Sequence, residues 1–213
     1  EVRSNPKSFN TEIGLPLAIL NLSSGYHSYK EWLPIILKAP FSILRRLRLS
    51  RPHGRNWRNF PLVLVLEFGV SEPGDMKYLL SVVNPKIAII TDITQRYLDA
   101  FGDMDELVGE YEYLARSVKK NCLVALNRDN ARIRSMVEIT KAKVKTFGLS
   151  DGADWQATEI NKLNNGMDIK VARGGKISRH EIKRFGEHHV YALLAGLIIK
   201  DYMTHYVDKD KKV

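Results

Sequence analysis

Residues Asn59–Asp99 read NFPLVLVLEFGVSEPGDMKYLLSVVNPKIAIITDITQRYLD, and this stretch decides the fold. Its first apolar run, Leu62–Leu66, is too short for a free-standing helix and consists of Val and Leu. Such a run suits a strand buried on both faces, as in a parallel sheet covered by helices. It ends in a carboxylate, Glu67, followed by Phe68 and Gly69. A second run, Ile87–Thr91, also ends in a carboxylate, Asp92. Between them Pro73 and Gly74 open a helix with Met76, Leu79, Leu80 and Val83 at helical spacing. The pattern is strand, helix, strand, with both acids at the carboxyl ends of the strands. Open α/β sheets bind ligands at that edge, so Glu67 is the first candidate functional residue.

Working outward, the pattern repeats. Met104–Lys119 carries apolar residues at helical spacing, Cys122–Leu126 reads as a strand, and the turn LNRDN leads into a helix over Ala131–Thr140. Val144–Phe147 is a further strand. Alternation of this kind predicts an α/β fold, doubly wound, with a mostly parallel sheet and flanking helices. From Ser150 to Lys176 the pattern changes to short segments broken by Asn164, Asn165, Gly166, Gly174 and Gly175, which predicts a small hairpin region. A strongly apolar helix then starts after Gly186, with Val190, Leu193, Leu194, Leu197, Ile198 and Tyr202 on it. Upstream, Ser8, Asn10 and Thr11 precede an apolar helical run through Leu15, Ile19 and Leu20.

Composition narrows the classes. A chain of 213 residues with 44% hydrophobic residues can bury a sizeable core, which excludes a disordered chain. A single cysteine, Cys122, excludes an internal disulfide framework. There is no run of roughly 18 apolar residues of the kind a membrane span needs. The formal net charge is +9, and it is concentrated. Residues 26–58 hold Lys30, Lys38, Arg45, Arg46, Arg48, Arg51, Arg55 and Arg58 against Glu31 alone, seven of those nine charges. Trp32, Leu33, Ile35, Ile36, Leu37, Phe41, Ile43, Leu44 and Leu47 are interspersed among them, and Pro34 and Pro40 predict a break into short helical pieces. Packing on its own or a neighbouring domain and docking on an anionic membrane surface both fit such an insertion. Nucleic acid is disfavoured, because the basic stretch contains no nucleic-acid-binding motif.

Four stretches, in order, resemble the middle domain of the Mur ligase family: FNTEIGLPLAIL, VLEFGVSEPGDMKYLLSVVNPKIAIITDI, CLVALNRDN and GEHHVYALLAG. The first resembles the family's substrate-contacting strip and the second its acidic strand, glycine-containing helix start and following strand. The third resembles its Leu-Asn-x-Asp turn and the fourth its Gly-x-His-Asn helix opening. Within the family the match is nearest to members that add D-alanyl-D-alanine to a UDP-N-acetylmuramoyl-tripeptide.

The resemblance implies an ATP-dependent amide-bond ligase of peptidoglycan precursor synthesis that works through an acyl phosphate, with ATP and Mg2+ as cofactors. Its implied partners are a UDP-N-acetylmuramoyl-peptide and an amino acid or dipeptide, and its place is the cytoplasm or the inner face of the membrane. It implies that Glu67 is catalytic and holds the metal, that Asn10 and Thr11 contact substrate, and that His188 lies at the nucleotide. Two positions depart from the family: Tyr97 stands at its His and Tyr111 at its metal-linked Lys. A neutral phenol is a poor magnesium ligand, so Asp92 is the expected second oxygen ligand, with Glu110 and Glu112 as further candidates. The chain contains no G-x-x-x-x-G-K-[ST] motif, and Gly174-Gly175-Lys176 lacks its spacing. The expected organisation is a middle domain at 1–205, incomplete at its N-terminus and lacking its phosphate loop, followed by a charged tail at 206–213. Two alternatives stand beside the ligase: a Mur-like protein that binds without catalysis, and a relative acting on another acid, such as a folylpolyglutamate- or cyanophycin-type synthetase.

Overall fold

The computed structural model describes residues 2–5, 8–25, 28–49, 61, 63–95 and 99–210; of 43–49 and 205–210 it describes the backbone only. Tyr97, Leu62 and Arg51, Arg55 and Arg58 lie outside the described residues. Two compact units divide the chain, Glu1–Val83 and Asn84–Val213.

In the first unit, β1 (Val2–Ser4) pairs in parallel with β2 (Val63–Val65), Val2 opposite Val63 and Ser4 opposite Val65. β2 falls in the expected place but is not buried on both faces: Val63 and Leu64 are half-buried and Val65 is exposed. Among the described residues it has one neighbour, a three-residue strand, so little covers it. Between the two strands lie α1 (Gly14–Leu20) and α2 (Tyr29–Leu49). α1 buries Leu15, Leu17 and Ala18 and ends at Asn21, whose left-handed φ of 56° lets its N–H reach back to the last carbonyls. α2 is one helix through Pro34 and Pro40, where the sequence predicted a break. Each proline removes a backbone hydrogen bond at a cost of ~3 kcal/mol. Both are exposed, so water can satisfy the freed carbonyls. α3 (Asp75–Val82) starts as predicted at Gly74, whose φ is 94°, and buries Met76, Leu79 and Leu80. Asp75 turns back to accept hydrogen bonds from the Ser71 and Glu72 amides at 2.8 and 2.9 Å.

The second unit holds the mostly parallel sheet. Six strands run in chain order: β3 (Ile87–Ile90), β4 (Leu123–Asn127), β5 (Lys143–Gly148), β6 (Trp155–Leu163), β7 (Gly166–Arg173) and β8 (Lys176–Ile182). The first four are parallel and the last two form antiparallel hairpins. α4 (Met104–Ser117) crosses from β3 to β4, and α5 (Ala131–Ser135) with a 3-10 turn at Met136–Glu138 crosses from β4 to β5. β4 is buried at all five positions, as a strand covered on both faces must be. α6 (Glu187–Asp210) lays Val190, Leu194 and Ile198 against Leu123, Phe147, Trp155 and Ile169.

Two turns explain sequence features. Gly174 and Gly175, with φ of 49° and 77°, form the two-residue turn between β7 and β8, where Arg173 pairs with Lys176. Positive φ at both positions matches the right-handed twist of the strands, so this glycine pair is hairpin chemistry. The β5–β6 connection has no crossover helix. It works because only Phe147–Trp155 and Gly148–Gln156 pair, and because the Asp154 carboxylate accepts from the Thr146 amide at 2.8 Å and hydroxyl at 3.0 Å.

Phe147 is fully buried between the sheet and α6. Phe147→Ala should lower unfolding free energy by about 3–5 kcal/mol, whereas the same truncation at exposed Phe41 should change it by less than about 0.5 kcal/mol. Urea denaturation of the two variants checks the contrast.

Candidate functional site

Glu67 lies two residues beyond β2, exposed, as its strand-end position predicts. Its backbone N–H donates to the Asn5 side-chain oxygen at 3.1 Å. Its Oε1 accepts from Asn10 Nδ2 at 2.9 Å, so the structure brings together two of the sequence-predicted residues that are 57 positions apart. The pairing has a steric condition. Gly69 donates its N–H to the Asn10 carbonyl at 2.7 Å, and a Cβ on Gly69 would come within 2.9 Å of the Asn10 side chain. Thr11 follows directly and accepts the Leu15 N–H at 2.8 Å, starting α1 through its carbonyl. Among the described residues no basic group forms an ion pair with Glu67. An exposed carboxylate oriented by an amide can meet a cation or a substrate donor.

In the second unit, a polar network occupies the carboxyl edge of β3, β4 and β5. Buried Asn127, the last residue of β4, donates to the Thr91 carbonyl beyond β3 at 2.7 Å and accepts the Asp129 N–H at 2.9 Å. Asn130 caps α5 by accepting from the Arg132 and Ile133 amides and donates to Asp92 Oδ1 at 2.7 Å. Asp129 accepts from the Leu149 and Ser150 amides at 2.6 and 2.9 Å and from the Tyr191 hydroxyl on α6 at 3.0 Å. A Cβ on Gly148 would come within 2.7 Å of that carboxylate, which explains the glycine at the end of β5.

The network shifts its own titrations. Burial acts to raise the Asp129 pKa, but hydrogen bonds from Ser150, Leu149 and Tyr191 outweigh it and hold the carboxyl below its ordinary value. Tyr191 is pushed up to about 12 by burial first, then by the hydrogen bond and charge of Asp129, with Glu187 and Asp92 adding to it. Tyr111 on α4 is also raised, by burial and then by the charge of Asp92. Tyr111 is therefore a phenol that keeps its proton, with the Asp92 charge acting on it.

His188 is exposed on the first turn of α6, the helix that Tyr191 ties to the sheet edge. Its ring centroid lies 4.1 Å from that of His189. Desolvation first, then the charges of His188 and Arg184, lowers the His189 pKa. Among the described residues no group of three or more His, Cys, Asp or Glu side chains could hold a metal. Glu67 offers one exposed carboxylate, and magnesium takes one or two carboxylates together with waters and substrate phosphates. The sequence reading missed Asp129 and Tyr191 as site-forming residues. Their only signal was membership of the LNRDN turn and the α6 opening, since their partners lie 20 and 62 positions apart.

A mixed sheet whose polar edge gathers acids, amides and a helix start belongs to the α/β proteins that bind ligands at the strands' carboxyl ends. Residues 57–199 match the Mur ligase middle domain, and the chain belongs to that family. The UDP-N-acetylmuramoyl-L-alanyl-D-glutamate--2,6-diaminopimelate ligase of Chlamydia pneumoniae is 28% identical over 128 residues, 60% of this chain and 26% of that protein. The UDP-N-acetylmuramate--L-alanine ligase of Lactobacillus acidophilus is 30% identical over 144 residues, 67% of this chain and 32% of that protein. The chain thus spans 26% and 32% of the length of these two curated relatives. In fold it is similar to the MurF ligase of Thermotoga maritima in complex with ADP, with a TM-score of 0.69 and 17% identity over 95% of this chain and 39% of that one. It is also similar to MurF from Acinetobacter baumannii, with a TM-score of 0.64 and 18% identity over 92% of this chain and 35% of that one.

The depressed Asp129 pKa sets an acid limb. Stability from its ionised form is complete above the ordinary carboxylate value, about pH 4, and is lost as pH falls through the lowered value. Asp129→Asn should flatten this limb in urea midpoints measured from neutral pH downward. Tyr191→Phe should move the Asp129 carboxyl up towards its ordinary value in an NMR titration.

Proposed function

We propose that this chain is the middle part of an ATP-dependent carbon–nitrogen ligase that joins an amino acid or dipeptide to a UDP-N-acetylmuramoyl-peptide in the cytoplasm. The observation that carries the reading is the exposed Glu67 carboxylate, oriented by Asn10 at the end of a strand in a Mur ligase middle domain. The ADP-bound relative supports nucleotide as the ligand class. In this reading the substrate carboxylate accepts the γ-phosphoryl group, releasing ADP and leaving an acyl phosphate. An incoming amine then displaces phosphate, gives up a proton and forms the amide bond.

Both steps develop negative charge on oxygens, and fixed positive charge and N–H groups lower their barriers. Magnesium, when bound, supplies neutralisation of the phosphate oxygens. Glu67 and Asp92 are each proposed as a carboxylate ligand for magnesium, each within its own unit, and Glu67 is the proposed catalytic residue. Asn10 and Thr11 are assigned to substrate, and His188 to nucleotide. Asp129 keeps the second unit's edge in register by tying the α6 start to the β5–β6 loop.

A second reading, binding without catalysis, rests on Tyr111, a phenol that is neutral near physiological pH and so a poor magnesium ligand. The two separate in the natural protein that contains this chain, assayed with ATP, UDP-N-acetylmuramoyl-tripeptide and D-alanyl-D-alanine. Catalysis requires stoichiometric ADP and amide product, and Glu67→Gln should lower kcat by at least about a hundredfold. Nucleotide binding without product favours the scaffold, and glutamylation of a folate instead reassigns the substrate. The 213-residue chain alone contains no phosphate-loop motif; it should hydrolyse no ATP, and turnover by the purified chain overturns that expectation.

A further inference from the structure

Among its described residues α2 has two apolar sides, one packed and one exposed. Ile35 is buried, and Trp32, half-buried, packs so closely on Gly25 that a Cβ there would meet its ring at 2.7 Å. On the other side Leu33, Ile36, Leu37 and Phe41 follow one another at helical spacing with exposures of 61%, 61%, 60% and 73%. Residues three and four apart on a helix form one continuous strip, so these four make a single exposed patch. Tyr29, one turn before Leu33, is 93% exposed and extends it. A contiguous patch of this kind marks a docking surface.

Charge selects the occupant. Eight basic residues surround the strip in sequence against the single Glu31. A second copy of the chain would bring the same excess of positive charge to the interface and repel. Nucleic acid would meet the charge but leave the aliphatic strip unpaired. An anionic bilayer answers both features, since acyl chains take the apolar side chains while headgroups take the Lys and Arg. Among the described residues no helix is long and apolar enough to cross a membrane, so α2 would lie along the surface. We propose that α2 docks this chain on an anionic membrane surface, with Leu33, Ile36, Leu37 and Phe41 inserted among the acyl chains and Lys30 and Lys38 at the headgroups. Membrane docking goes beyond the ligase reading and does not depend on it.

The test is co-sedimentation of the 213-residue chain with vesicles of phosphatidylglycerol and phosphatidylcholine, compared with phosphatidylcholine alone. Binding should require the anionic lipid and weaken as salt rises. Each basic residue at such a surface is worth about fivefold in partitioning, so replacing Arg45, Arg46 and Arg48 together with Ala should weaken binding about a hundredfold. Leu33→Gln with Phe41→Gln should weaken it at least about tenfold with an unchanged thermal midpoint, because both side chains are already exposed. No binding by the folded chain overturns the proposal. So does binding that survives the Leu33 and Phe41 changes, which would make the contact purely electrostatic. Light scattering that shows a lipid-free dimer abolished by the same two changes assigns the strip to a second copy and overturns it as well.

Discussion

The second unit depends on one constraint at its partly buried edge: the carboxylate of Asp129 has to satisfy three donors from two different segments. The Leu149 and Ser150 amides belong to the β5–β6 loop, and the Tyr191 hydroxyl belongs to α6. Without that acceptor the loop amides would lose their partner, and an unmade hydrogen bond at a partly buried edge costs about 1–3 kcal/mol. The constraint also dictates sequence elsewhere. It requires glycine at 148, and it places the α6 start, with His188, beside the ends of β4 and β5. The short parallel β5–β6 connection is possible because Asp129 on one side and Asp154 on the other hold its loop in shape.

The first unit solves a related problem with amides. Asn5 and Asn10 hold Glu67 from its backbone and its side chain, leaving the carboxylate exposed and oriented. An amide is suited to this role because it fixes direction without neutralising charge. An arginine in its place would have tied up both oxygens as a bidentate pair. The choice of partner therefore leaves the Glu67 carboxylate exposed and, among the described residues, without an ion-pair partner.

What could be read from sequence follows the strength of local periodicity. β3, β4 and β5 were visible as apolar runs, and α6 as a stripe of Val190, Leu194 and Ile198, because burial imposes those patterns directly. β1 was missed because Val-Arg-Ser is too short to show a period. α2 was expected to break because Pro34 and Pro40 are strong local signals; their exposure, a tertiary property, let the helix continue. The exposed position of Glu67 just beyond a strand was legible from the end of its apolar run. Asp129 looked like an ordinary turn residue, since nothing near it in sequence announces donors 20 and 62 positions away.

Asp92 shows how structural and chemical duties compete at such an edge. Its Oδ1 already accepts from the Asn130 side chain at 2.7 Å and from the Ile93 amide at 3.0 Å. Through Asn130 it supports the cap of α5, and its charge helps keep the Tyr111 proton in place. A cation drawn to Asp92 would offset that charge and relax the hold on the Tyr111 proton. Phenol protonation and the α5 cap are therefore linked through one carboxylate. Among the described residues of its own unit, Glu67 has amides as its partners and no comparable linkage. A charge placed against Glu67 would therefore disturb fewer contacts of the fold than one placed against Asp92.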